Sequence, residues 1–234
     1  MLLDFITSGS ILNVVIGLMV SVFVVFCTLP IHEYAHAFVA TKLGDDTARL
    51  KGRLTLAPMA HIDPIGALMI LLVGFGYAKP VPVNPRKFKN PKLGMALTAL
   101  AGPVSNIIMA LVFLILSNLA TVVYYRTGVA FASATVLFFQ FAAQINVSLA
   151  VFNFLPIPPL DGSRIATLII PTKYYFRIMK YERYIILAVF ALIIFGILDV
   201  PLGFLTNLVM NGLGFVANLP FRSMLLSLIS SIKR

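Results

Sequence analysis

The chain is poor in charge and almost without cysteine. Of its 234 residues only 11% are charged, eight are acidic and three are histidine, and Cys27 is the sole cysteine. A single thiol excludes a disulfide framework within the chain, and its place in an apolar stretch reads as packing. Residues 1–10 lack a basic n-region and carry Asp4, which argues against a cleaved signal peptide, so the first apolar run is expected to be a retained span. There is no internal repeat and no low-complexity tract.

What the chain has instead is 60% hydrophobic residues, outside the range of soluble globular domains. Its length accommodates about five or six membrane spans with short connections and leaves no room for a sizeable soluble domain. The expected fold class is an all-α polytopic membrane protein, a single integral-membrane domain over residues 1–234. Its motif-bearing core covers about residues 10–165, with additional C-terminal helices over about 184–234. A net charge of +10 would suggest nucleic acid in a soluble protein. In so apolar a chain it reports the positive-inside bias and anionic headgroups, so the expected partner is the lipid bilayer and not nucleic acid.

Residues 11–29 are apolar, Pro30 interrupts them, and 32–43 continue with helical character. An unbroken helix over 11–43 would be about 50 Å long against a hydrocarbon core of ~30 Å, so a tilt or a kink at Pro30 is expected. The alternation Lys51-Gly52-Arg53-Leu54-Thr55-Leu56 predicts a small β-hairpin or strand at the membrane surface. Residues 65–77 are apolar but short, as suits a re-entrant or peripheral segment. Two strong spans follow at 93–123 and 129–155, then 184–198 and 202–219 form one or two more, with an interfacial amphipathic helix expected over 223–234. Arg126 is the lone basic residue between the two strong spans, whereas Lys and Arg crowd into 42–53, 79–92, 164–183 and the C-terminus. Those segments therefore face the cytosol, and positive charge on both sides of 65–77 favours re-entry. This topology brings residues 32–36 and 153–161 to one depth, near the cytosolic face.

Both segments carry costly polar groups. His32-Glu33-Tyr34-Ala35-His36 places two imidazoles four residues apart on one helix face, with a carboxylate one step round. That spacing can hold zinc on the histidines and leave Glu33 beside a metal-activated water. An unpaired carboxylate in a membrane helix costs about 2.5–3.5 kcal/mol on insertion scales, which weighs against chance placement. Zinc needs a third protein ligand, for which His61, Asp63 and Asp161 are the candidates. Asp161 is preferred. It follows an apolar span in Asn153-Phe154-Leu155-Pro156-Ile157-Pro158-Pro159-Leu160-Asp161-Gly162, where three prolines unwind the backbone at a depth that tolerates this only beside protein or a polar cavity.

The Asn153 amide is placed to hold a substrate backbone or donate to a developing oxyanion, with an interhelical hydrogen bond as the plain alternative. Asn106, after the helix-loosening Gly102-Pro103, is balanced between packing and substrate contact. His61, in His61-Ile62-Asp63-Pro64-Ile65-Gly66, is an accessory candidate near the metal, though an interfacial histidine is the commoner case. Asp63 reads as the cap of the next helix.

In order along the chain, His32-Glu33-Tyr34-Ala35-His36, Gly102-Pro103-Val104-Ser105-Asn106 and the Asn153–Gly162 run resemble the site-2 protease family of intramembrane zinc proteases. That family's pattern is HExxH, then GPxxN, then NxxPxPxLDG, and all three are matched in full. The resemblance implies one zinc per chain on His32, His36 and Asp161, with Glu33 as catalytic base and Asn153 near a transmembrane protein substrate. HIDPIG and KPVPVNP look like compact bacterial and archaeal members, so a multi-pass protein of a prokaryotic cell membrane is expected. No PDZ insertion or nucleotide-sensing CBS domain is expected. Two other classes fit less well. A membrane metal transporter would show repeats or several polar-lined helices and has no need of Glu33. A non-catalytic binder of transmembrane partners would be expected to have lost part of the HExxH or the aspartate.

Overall fold

The computed structural model describes residues 11–73, 78–170 and 172–221. Residues 1–10, where no cleaved signal is expected, and the interfacial helix expected over 223–234 lie outside the described residues. Helix α1 runs over Ile11–Lys42. Within it Val24–Thr28 winds as a π-helical turn, and the Leu29 amide reaches back five residues to the Val24 carbonyl. Pro30 explains the irregularity, because it brings no N–H and its ring clashes with the carbonyl four residues back. The disturbance expected at Pro30 thus takes the form of an inserted residue one turn before the His32–His36 motif, as π-bulges often do at functional sites.

Beyond α1 the chain does not form the hairpin that the 51–56 alternation predicts, and no strand occurs among the described residues. Thr47–Leu50 makes one helical turn instead. Gly52, at φ 67°, closes that turn in the left-handed conformation glycine tolerates. The Arg53 amide returns to the Ala48 carbonyl at 2.8 Å. Asp45, fully buried, accepts from the Thr47 amide and hydroxyl at 3.0 and 2.5 Å and from the Asn84 amide at 2.6 Å. Burial alone would raise the Asp45 pKa, but the hydrogen bonds from Thr47 and Asn84, with Lys87 nearby, bring it below the ordinary carboxylate value. Local hydrogen bonding of this kind outcompetes strand pairing, and it ties the end of α1 to the segment before α3.

Helix α2, Pro64–Val73, is capped by Asp63, whose Oδ1 accepts from the Ile65 and Gly66 amides at 3.0 Å each. Ten residues span about 15 Å, half of the hydrocarbon core. The Lys79 amide donates to the His61 carbonyl at 2.8 Å, so the chain comes back to the level at which it left. That closure is the geometry of a re-entrant segment.

Helices α3, Pro91–Thr127, and α4, Ala130–Asn153, are joined by Gly128 at φ 66°. They make the most extensive helix pair in the protein. Val20 and Val24 of α1 and Ala142, Ala143, Val147 and Ala150 of α4 are fully buried, small side chains that let the helices approach closely. Phe23 meets the rings of Phe113 and Phe138 edge-on at 5.6 and 5.5 Å. Asn146 donates to the Thr28 hydroxyl at 3.4 Å, tying α4 to the π turn. After α4 come α5 (Asp161–Ala166), α6 (Thr172–Met179), α7 (Glu182–Ile194) and α8 (Asp199–Asn218). Among the described residues four helices are long and apolar enough to cross a membrane: α1, α3, α4 and α8 extended to Phe221. The other apolar segments are the shorter α2 and α7. Thirteen residues of α7 cover about 20 Å, and Gly196 at φ 69° separates it from α8.

Candidate metal centre

His32 and His36 occupy the second half of α1, one turn apart, and turn the same edge toward α5. Their Nε2 atoms lie 3.0 Å from each other and 3.3 and 3.2 Å from Asp161 Oδ2. Each histidine is 6% exposed, and the Asp161 side chain 13%. His36 Nδ1 donates to the Thr98 carbonyl on α3 at 2.7 Å. A carbonyl only accepts, so in the neutral ring Nε2 carries the lone pair. Three atoms able to ligate a metal are thus brought together, an arrangement that could hold a cation. Zinc bonds of ~2.0–2.1 Å at tetrahedral angles separate neighbouring ligand atoms by roughly 3.3 Å, in line with the spacings observed, and the histidine–histidine–aspartate donor set suits that metal.

The rest of the chain makes room for this cluster. At Gly102 a Cβ would sit 2.4 Å from His36 Nε2 and 2.5 Å from His32 Nε2, in the space the three donors share. At Gly162 a Cβ would lie 2.3 Å from the carbonyl oxygens of Phe154 and Leu155. Asp161 is therefore held by close packing of its neighbour against the unwound stretch after α4.

The centre opens into a cavity of about 550 Å³ bordered by α1, the extended chain around Val81, the end of α4 and α7. Glu33 lines it beside the histidines, is 8% exposed, and has no hydrogen-bond or ion-pair partner among the described residues. Asn106 and Asn153 line it too. They differ in how they are used. Asn153 Nδ2 donates to the Leu149 carbonyl of its own helix at 3.0 Å. Asn106 is 1% exposed, and neither its Oδ1 nor its Nδ2 has a partner among the described residues. His61 stands apart from the three clustered residues. It is fully buried, and its Nε2 donates to the Thr55 carbonyl at 2.7 Å, which makes it a brace for the loop. The Thr98 carbonyl had no signature in the sequence as a site element, and that Gly102 of the 102–106 motif makes room for the histidines was not legible there. A backbone acceptor is not encoded by its side chain, and a glycine's neighbours appear only in three dimensions.

Fold and site together define a membrane protein in which two buried histidines and an aspartate could hold a metal ion with a carboxylate beside them, an arrangement that fits a metallopeptidase. Residues 116–196 match Peptidase family M50. Relatives named "Putative zinc metalloprotease" include three from different organisms. YwhC of Bacillus subtilis is 46% identical over 153 residues, 65% of this chain and 70% of the relative. Rip2 of Mycolicibacterium smegmatis is 30% identical over 144 residues, 58% of this chain and 51% of the relative. MJ0611 of Methanocaldococcus jannaschii is 31% identical over 140 residues, 57% of this chain and 62% of the relative. The chain spans about half the length of Rip2. No solved structure matches it significantly. The chain belongs to peptidase family M50, the site-2 protease family.

Proposed function

We propose that this chain is an intramembrane zinc metalloprotease that hydrolyses a peptide bond in or near a transmembrane segment of a membrane-protein substrate. The observation that carries the reading is a metal-competent triad with a free Glu33 carboxylate in a cavity among apolar helices. The charge distribution supports a cytosolic-side position for this cavity.

His32, His36 and Asp161 would hold the ion, and zinc bound there supplies Lewis acidity that lowers the pKa of a water to about 7 and polarises a carbonyl. Glu33 takes the proton of the attacking water and passes it to the nitrogen of the leaving amine. The Thr98 carbonyl keeps His36 in the tautomer and orientation a ligand needs. Asn106 offers a buried, unspent N–H to the developing oxyanion, and Asn153, whose Oδ1 has no partner among the described residues, accepts from the substrate backbone. A substrate helix hides its carbonyls in its own hydrogen bonds, so it must unwind locally before it can react.

The test is zinc per chain in detergent-purified, monodisperse protein, together with cleavage of a model membrane substrate. Wild type should hold about one zinc, Asp161→Ala should lose it, and Glu33→Gln should keep it while cleavage disappears. Full zinc retention without Asp161, or turnover by Glu33→Gln equal to wild type, would remove the assignment.

A further inference from the structure

Arg164 is the one Lys or Arg side chain lining the metal-centre cavity among the described residues. It is half-buried, and its guanidinium makes no ion pair or hydrogen bond with any described residue. It stands three residues after Asp161 on α5, which puts the two on the same helix face, yet no ion pair joins it to Asp161 or to Glu33. The surrounding wall is mostly apolar, with Val189, Phe190 and Ile193 of α7 among its residues. An unpaired guanidinium in such a place is costly unless an anion completes it. By contrast the buried Asp45 collects Lys87 and three hydrogen bonds. Arg164 is left open toward the space a substrate would fill.

We infer that Arg164 makes a carboxylate-binding subsite in this cavity, so that preferred substrates carry a carboxylate close to the bond presented to Glu33. The inference rests on the protease reading of the same cavity. A guanidinium presents five donors in a planar fork that matches a carboxylate with two parallel hydrogen bonds, and the apolar wall strengthens that pairing. The carboxylate has two chemical sources: an acidic side chain within an intact substrate, or the free C-terminus of a chain already cut by another protease. Arg164 acts here as a specificity and positioning residue, with no part in the proton transfers.

Binding of fluorescent synthetic transmembrane peptides to the full chain carrying Glu33→Gln, in detergent with zinc loaded, separates these cases. One peptide is neutral with an amidated end. A second set carries one glutamate, moved through successive positions, with the end amidated. A third is the neutral peptide with a free C-terminal carboxylate. Fluorescence anisotropy should show about tenfold tighter binding of one carboxylate-bearing form than of the neutral peptide. Tighter binding of a glutamate peptide assigns the acidic side chain, and tighter binding of the free-ended peptide assigns the chain terminus.

Adding Arg164→Gln should erase the gain and leave the neutral peptide's affinity and the zinc content unchanged, while Arg164→Lys should keep only part of it. Equal affinity for all peptides, however weak, overturns the subsite, and so does a gain that survives Arg164→Gln. Wild-type cleavage distinguishes this failure from that of the protease reading. Equal kcat/KM for neutral and acidic peptides removes the subsite and leaves the protease standing. A carboxylate preference in binding with no peptide cleaved keeps the subsite and removes the protease.

Discussion

His36 Nδ1 donates to the Thr98 carbonyl at 2.7 Å across 62 residues of chain, and this contact turns Nε2 toward His32 and Asp161. Metal-ligating histidines almost always give their second nitrogen such a partner, and losing it typically reduces metal affinity or activity 10–100-fold. The same stretch of α3 that supplies this acceptor also supplies the gap at Gly102, so α3 shapes the centre without contributing a ligand.

Gly102→Ala should therefore abolish zinc binding. The new methyl would stand 2.4–2.5 Å from both Nε2 atoms, while alanine is favoured over glycine in a helix by up to about 1 kcal/mol. Metal analysis and thermal melting of the zinc-free protein should show lost zinc with an unchanged or higher melting temperature. Retained zinc would contradict the placement of the centre against α3.

Gly162→Ala should act through the backbone. A Cβ 2.3 Å from the Phe154 and Leu155 carbonyl oxygens forces the unwound stretch to shift, at a destabilisation of about 1–3 kcal/mol. Asp161 should move with it. Zinc competition against a chelator is expected to show at least tenfold weaker binding, and unaltered affinity would mean that Asp161 is positioned by something else.

Asn106→Ala should separate chemistry from packing. Its amide is buried without a partner among the described residues, so its removal should leave the melting temperature unchanged or raised. If it donates to the oxyanion, kcat should fall about 100-fold with zinc retained. A lower melting temperature with normal turnover would make Asn106 structural.

Asp45→Asn should lower stability at neutral pH by about 1–3 kcal/mol, since Asp45 is a buried acceptor for Thr47 and Asn84. Its pKa is depressed in the folded protein. The contribution is therefore complete above the unfolded value of about 3.9 and lost as pH falls through the lower folded value. Melting curves of wild type and variant should converge on acidification through that window. A gap that stays constant throughout would show that the charge is not what stabilises.

Much of this protein was legible from local order along the chain. A four-residue spacing puts His32 and His36 on one helix face whatever surrounds them. The proline run ahead of Asp161 must unwind the backbone, and long apolar runs must become spans because lipid offers no partner to bare peptide groups. Those are constraints between near neighbours, and near neighbours are what a sequence records. The tertiary structure decided the rest. Asp45 captured Thr47 and Asn84, and the 51–56 alternation stayed unpaired for want of a neighbouring strand. His61 was drawn to Thr55 and stands outside the His32, His36 and Asp161 cluster. Asn153 spent a donor on its own helix, while neither side-chain polar atom of Asn106 found a partner among the described residues. Arg164 found no anion among the described residues. Each outcome depends on which groups from distant parts of the chain meet within hydrogen-bond range. Packing determines that, because a polar group's partner is chosen by distance in space and not by separation along the chain.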